Sequence, residues 1–204
     1  TKSVTGTLTG ILVAEGKLDP EAPVLDYLPE VKHSAWRDAR VRHVLDMTVD
    51  MDFVEDYLDT RSDFARYRVS TGWNPPNPDL GSEGLHAFLA TVKPAQSRHG
   101  ETFYYASPSS DLLGWLLERV SGQPFAQLLS EKIWQPMGAE ADAFITVEAK
   151  GGARTAGGIN TTLRDLARFG ELMRNDIVHY HGFRGAMLAR LKPEASGTNI
   201  LAGC

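Results

Sequence analysis

Lys2 is the residue of this chain whose type and neighbours speak most directly of chemistry. The opening Thr1-Lys2-Ser3-Val4-Thr5-Gly6, read with Tyr105-Ala106-Ser107 far downstream, has the form of the second half of a Ser-x-Thr-Lys nucleophile motif. A serine hydroxyl is a poor nucleophile at neutral pH, so an amine close by has to take its proton, unprotonated itself or acting in concert with a second group. Desolvation lowers the pKa of a lysine and frees that amine, and a helix sets positions i and i+3 on one face. Lys2 fits this role for a serine two positions before Thr1, outside the 204 residues. Taken alone, Lys2 also reads as a solvated lysine near a chain end. The downstream residues decide between the two.

A proton-handling lysine needs a rigid platform, and the sequence offers helices separated by long loops. Residues 3–15 carry Val4, Leu8, Ile11, Leu12 and Ala14 at helical spacing, with Gly16 as a stop and Thr5, Gly6 and Gly10 keeping one face narrow. This predicts a buried helix. Ser107-Pro108 reads as an N-cap followed by proline at the first helical position, ahead of an apolar face of Leu112, Leu113, Leu116, Leu117 and Val120 that Ser121-Gly122 ends. Further helices are expected over Val41 to Met47, with Val44, Leu45 and Met47 inward, over Leu85 to Val92, and over Pro124 to Ile133. A last one starts at the capping-box-like pair Thr162 and Asp165 and runs through Met173. Residues 50–82, with Asp50, Asp52, Glu55, Asp56 and Asp59 and the run Trp73-Asn74-Pro75-Pro76-Asn77-Pro78, show little periodicity and read as a long functional or partly ordered loop. The best strand signal is Phe144-Ile145-Thr146-Val147.

Composition narrows the classes. With 204 residues and 42% hydrophobic content the chain suits one globular domain or a large piece of one. The 21 basic and 26 acidic residues give a net charge of −5 with no basic block, which argues against nucleic acid as a partner. The single cysteine, Cys204, excludes a disulfide framework and a thiolate metal cluster, and its isolation leans towards a cytoplasmic setting. No apolar run reaches the roughly 18 to 20 residues of a membrane span. The first residue is Thr and not Met, so a leader upstream stays open.

Four stretches carry a resemblance: Thr1 to Gly6; Gly16-Lys17-Leu18-Asp19 through Tyr27-Leu28-Pro29-Glu30; Val41-Arg42-His43-Val44-Leu45-Asp46-Met47-Thr48; and Gly100 to Pro108 running into Asp111-Leu112-Leu113-Gly114. Ile133-Trp134-Gln135-Pro136-Met137-Gly138 and Gly157-Gly158-Ile159-Asn160 leading into Leu163 to Arg168 add to it. In this order the chain resembles the serine β-lactamase-like hydrolases, which include penicillin-binding proteins, family VIII esterases and 6-aminohexanoate-dimer hydrolases, and most of all the last. The resemblance implies an α/β fold of the β-lactamase/transpeptidase-like kind, here mostly its helical portion over residues 1–175 with the sheet incomplete. Residues 176–204 leave the pattern and form a divergent or truncated tail. It also implies hydrolysis of a small-molecule amide or ester through an acyl-enzyme, with no metal or organic cofactor.

In that family the tyrosine of a Tyr-x-Asn motif exchanges protons with nucleophile and leaving group, and Tyr105 resembles it. Tyr104 competes for the role, or both are core aromatics; counting back from Asp111 to Gly114 favours Tyr105. Ser107 stands where relatives have Asn, as a substrate contact or as a helix cap. Tyr57 resembles the loop tyrosine that folds over bound amide in the 6-aminohexanoate-dimer hydrolase branch, and the acidic residues around it face a substrate ammonium or only solvent. Asp50 replaces a glycine, so the turn there is expected to differ. Gly157, Gly158 and Asn160 edge the cleft or serve as turn residues. The third family motif is not located: Ser196-Gly197-Thr198 has Ala195 in the lysine position, and His179-Tyr180-His181 lacks a third metal ligand. The reading from another class is a non-catalytic relative that binds ligands without turnover.

Overall fold

The computed structural model describes residues 1–81 and 83–175. Seven α-helices follow one another: α1 (Lys2–Ala14), α2 (Val41–Leu45), α3 (Asp63–Ser70), α4 (Leu85–Leu89), α5 (Ser107–Ser121), α6 (Phe125–Leu129) and α7 (Leu163–Asn175). Between α6 and α7 lie β1 (Phe144–Ile145) and β2 (Ile159–Asn160), antiparallel with Phe144 opposite Asn160 and Ile145 opposite Ile159. The expected tail, with its Ser196-Gly197-Thr198 and His179-Tyr180-His181, lies outside the described residues.

The central contact is α1 against α5. Leu8, Ile11 and Leu12 of α1 and Leu112, Leu116 and Leu117 of α5 are fully or almost fully buried, joined by Phe125, Leu128 and Trp36. The indole of Trp36 donates to the Leu89 carbonyl at 2.9 Å, so this large ring is buried without an orphaned N–H. The inward face of α1 differs from expectation at its polar positions. Ala14 is exposed, whereas Thr5, Thr7 and Thr9 are buried. Their hydroxyls solve their own burial: Thr7 donates to the Ser3 carbonyl and Thr9 to the Thr5 carbonyl, each at 2.8 Å, one turn back along the helix. Gly6 does not narrow a face either, because a Cβ there would meet nothing within 4 Å. The tight approach is at Gly114 on α5, where a Cβ would fall 2.3 Å from Thr155 Oγ1.

Two local readings are corrected. The segment 50–82 is not one long loop: Ser62 accepts the Ala65 N–H at 3.2 Å and starts α3, which buries Phe64, Ala65, Tyr67 and Val69. Arg66 and Arg68 interrupt the apolar spacing and hid this helix from periodicity. Ser107 is not an N-cap: Ala106 takes that position and α5 begins with Ser107 itself. Elsewhere Met47, expected inward in the second helix, follows its end in the left-handed region at φ 50°, only half buried, and it is Met47 and not Asp50 that carries the unusual turn. The α7 start is as the sequence suggests, with Thr162 Oγ1 donating to Asp165 at 2.8 Å and the Asp165 N–H returning to Thr162 Oγ1 at 3.1 Å.

One buried acid ties these layers together. Asp111 on α5 is 1% exposed and accepts from Tyr67 on α3 at 2.5 Å, from the backbone N–H of Ala156 at 2.7 Å and from the Thr155 hydroxyl at 3.3 Å. The strap before β2 is thereby fixed onto two helices. Burial raises the Asp111 pKa to about 6, against the hydrogen bonds from Tyr67 and Ala156 and the charges of Arg154 and Lys2, which lower it. Burial and the neighbouring carboxylate push the Tyr67 phenol well above its ordinary range.

Because folded Asp111 keeps its proton to higher pH than the unfolded chain does, the native state binds more protons between the ordinary value of 3.8 and about 6, and stability falls as pH rises through that window. The urea midpoints of the parent chain and of Asp111→Asn, compared across this window, should diverge, the parent losing on the order of 3 kcal/mol relative to the variant. Parallel pH profiles would contradict the burial of an ionisable acid at this position.

Candidate functional site

Lys2 opens α1, and its side-chain nitrogen is turned back onto α5 and the strap. Nζ donates to Ser107 Oγ at 3.3 Å and to the Ala156 carbonyl at 2.9 Å. The same nitrogen stands 5.1 Å from the centroid of the Tyr105 ring. Three of the four residues singled out from the sequence, Lys2, Tyr105 and Ser107, are thus brought together. Thr1 anchors the same corner, its Oγ1 accepting the Ile159 N–H at 3.2 Å.

The two tyrosines part company. Tyr104 donates its hydroxyl to the Phe53 carbonyl and its backbone N–H bonds the Met47 carbonyl at 2.7 Å, so it serves the packing of the loop against α2. Burial raises its pKa, with the charges of Glu55 and Asp52 acting in the same direction. Tyr105, by contrast, is 41% exposed and offers its ring to Lys2. Alternation along the extended segment before α5 sends the two side chains opposite ways. With Ala106 at the N-cap, the Ser107 hydroxyl is left to accept from Lys2, while the Ser107 N–H, one of the orphan donors of a helix start, is met by the Glu55 carboxylate.

Tyr57 stands apart from this group. Its ring is 67% exposed, packs edge-on against Phe64 with centroids 4.7 Å apart, and borders a concavity of about 380 Å³ shared with Arg68, Asn74, Pro75 and Pro76. Lys2, Tyr105 and Ser107 do not line that concavity. Two of the acidic residues nearby are engaged in local turns, Asp56 accepting the Leu58 N–H at 2.8 Å and Asp59 that of Arg61 at 2.9 Å, while Asp50 reaches across the chain to accept the Ser97 N–H at 2.9 Å. Gly158 is a close-approach residue, since a Cβ there would lie 2.5 Å from the Arg154 carbonyl oxygen, and Asn160 is a strand residue of β2.

Sequence reasoning missed the supports. Glu55 reaches Ser107 across 52 positions and Asp111 reaches Ala156 across 45, and neither pairing leaves a local signature. The orphan N–H groups of a helix start do call for an acceptor, so an acid near Ser107 was foreseeable, though not which one. Chemically, the arrangement holds an amine on two oxygen acceptors beside an exposed phenol at the start of α1.

Comparison with known proteins now bears on this geometry. A family model described as Beta-lactamase matches residues 1–199. The 6-aminohexanoate-dimer hydrolase of Paenarthrobacter ureafaciens is 38% identical over 172 residues, 84% of this chain and 43% of that protein. A Bacillus anthracis protein assigned by name to the 6-aminohexanoate-dimer hydrolases superposes with a TM-score of 0.83 at 23% identity, over 96% of this chain and 52% of that one. The octameric penicillin-binding protein homologue of Pyrococcus abyssi gives 0.68 at 22% identity, over 90% and 46%. These two likenesses speak for the fold, and the chain spans about half the length of the proteins it matches. With a family match along nearly its whole length and a fold shared with both structures, the chain belongs to the serine β-lactamase-like hydrolases, and its helical body with a two-stranded piece of sheet is part of their fold.

Proposed function

We propose that this chain carries the proton-handling half of a hydrolase that cleaves an amide or ester bond through an acyl-enzyme, in the manner of a 6-aminohexanoate-dimer hydrolase. The nucleophile is the serine of a Ser-x-Thr-Lys motif, two positions before Thr1 in the parent protein. The observation that carries this reading is the Lys2 amine held on Ser107 Oγ and the Ala156 carbonyl beside the Tyr105 ring. With α1 continued one turn towards the N-terminus in the parent protein, a hydroxyl three residues before Lys2 would share its helix face. Attack of the serine oxygen on the substrate carbonyl breaks its O–H bond, Lys2 taking the proton. Tyr105 and Lys2 then pass a proton to the departing amine or alcohol, and water releases the acid from the acyl-enzyme. Ser107 fixes the lysine, and Tyr57, exposed on its loop, is available to close over bound substrate. Residues 1–175 make up the helical part of this domain.

The 204-residue chain should be inert towards p-nitrophenyl butyrate, a chromogenic cephalosporin and a 6-aminohexanoate dimer; turnover blocked by a serine-directed phosphonate would place the nucleophile inside the chain. In a version extended upstream to restore Ser-x-Thr-Lys and completed at the C-terminus, Lys2→Ala and Tyr105→Phe should each slow acylation by about a hundredfold or more, the scale of lost acid-base help. Tyr104→Phe should cost far less, because its hydroxyl is spent on the Phe53 carbonyl. A Tyr104→Phe variant as crippled as Tyr105→Phe would reverse the assignment. An upstream residue of Ala or Gly in place of serine would favour the ligand-binding reading.

A further inference from the structure

Arg154 lies two residues before Ala156, the residue whose carbonyl holds Lys2. Its backbone is fixed on both sides: the N–H donates to Thr146 at 2.9 Å, and its carbonyl accepts from Gly158 at 2.8 Å. The guanidinium is centred 3.9 Å from the Trp73 ring centroid, and Trp73 is 59% exposed. Gly157 also borders the guanidinium: a Cβ added there would come no nearer than 3.5 Å to Nη2 and 3.7 Å to Cζ. Arg42, Arg66, Arg119, Arg168 and Arg174 each sit on a carboxylate. Arg154 does not: among the described residues no hydrogen bond or ion pair holds its guanidinium, and its Nε is buried without a partner. Asp111 feels its charge, but the Asp111 oxygens are taken by Tyr67, Ala156 and Thr155.

A guanidinium stacked on an indole keeps its edge free, and that edge is a planar fork of donors matched to a planar carboxylate. We propose that Arg154, backed by Trp73, is a carboxylate-binding subsite, two residues along the strap from the Ala156 carbonyl that holds Lys2. The subsite as a binding site stands on its own geometry, while its place in catalysis rests on the hydrolase reading above.

The test uses the 204-residue chain labelled with fluorotryptophan, whose four tryptophans give separate resonances, Trp73 being assigned with Trp73→Phe. Sodium hexanoate should shift the Trp73 resonance saturably, and the neutral hexanamide should not. Arg154→Gln should weaken hexanoate binding about tenfold or more, and Arg154→Lys by a smaller but clear factor because the fork is lost. The resonances of Trp36, Trp115 and Trp134 report whether each variant keeps its fold. Equal binding of hexanamide, a Trp73 shift unchanged in Arg154→Gln, or saturation by inorganic phosphate where hexanoate does nothing would each overturn the proposal. In the extended, serine-containing protein, Arg154→Gln should spare the neutral ester p-nitrophenyl butyrate and slow an amide bearing a carboxylate. If that protein turned over neither, the hydrolase reading would fail while hexanoate binding would still decide the subsite.

Discussion

The peptide unit around Ala156 is the constraint on which the site depends. Its N–H is held by a carboxylate buried on α5, and the Ala156 carbonyl holds the Lys2 amine. Leaving an acid such as Asp111 without partners in the interior would cost several kcal/mol, so its hydrogen bonds to Tyr67, Ala156 and Thr155 are mutually obligatory. Lys2 is positioned as the last link of that set. The strap cannot move without orphaning Asp111, and Asp111 cannot move without disturbing α3 and α5 together.

The packing of α1 on α5 supplies the rest. Gly114 lets the Thr155 side chain come against the helix, Thr155 donates to the Ser110 carbonyl at 2.9 Å, and its own carbonyl accepts from Thr5 on α1 at 2.8 Å. Thr155 therefore ties both helices with one side chain and one backbone group. Lys2 is committed to two oxygen acceptors, whereas among the described residues no hydrogen bond or ion pair holds the Arg154 guanidinium, which rests on Trp73. Burial raises the Asp111 pKa, and the charges of Arg154 and Lys2 both act to lower it.

What could be read from the sequence follows the range of the interactions. The leucine and isoleucine faces of α1 and α5 and the α7 cap at Thr162 and Asp165 rest on spacing within a few residues, and the structure has them so. α3 escaped because Arg66 and Arg68 break its apolar pattern, although Ser62 marks its start. The buried threonines of α1 escaped because a hydroxyl that bonds its own helix passes for a surface residue in a periodicity reading. Glu55, Asp111 and the Ala156 carbonyl act across long loops, where only the folded chain determines which acid meets which donor.

Two hydroxyls compete for the amine of Lys2: that of Ser107, 3.3 Å away, and that of the serine proposed one turn upstream. Covalent trapping separates them most directly. The extended protein is treated with a serine-directed phosphonate, digested, and its modified peptide sequenced by mass spectrometry. The proposed chemistry puts the label on the serine three residues before Lys2, and Lys2→Ala slows its appearance. A label on Ser107, or labelling at the upstream serine indifferent to Lys2, would contradict it.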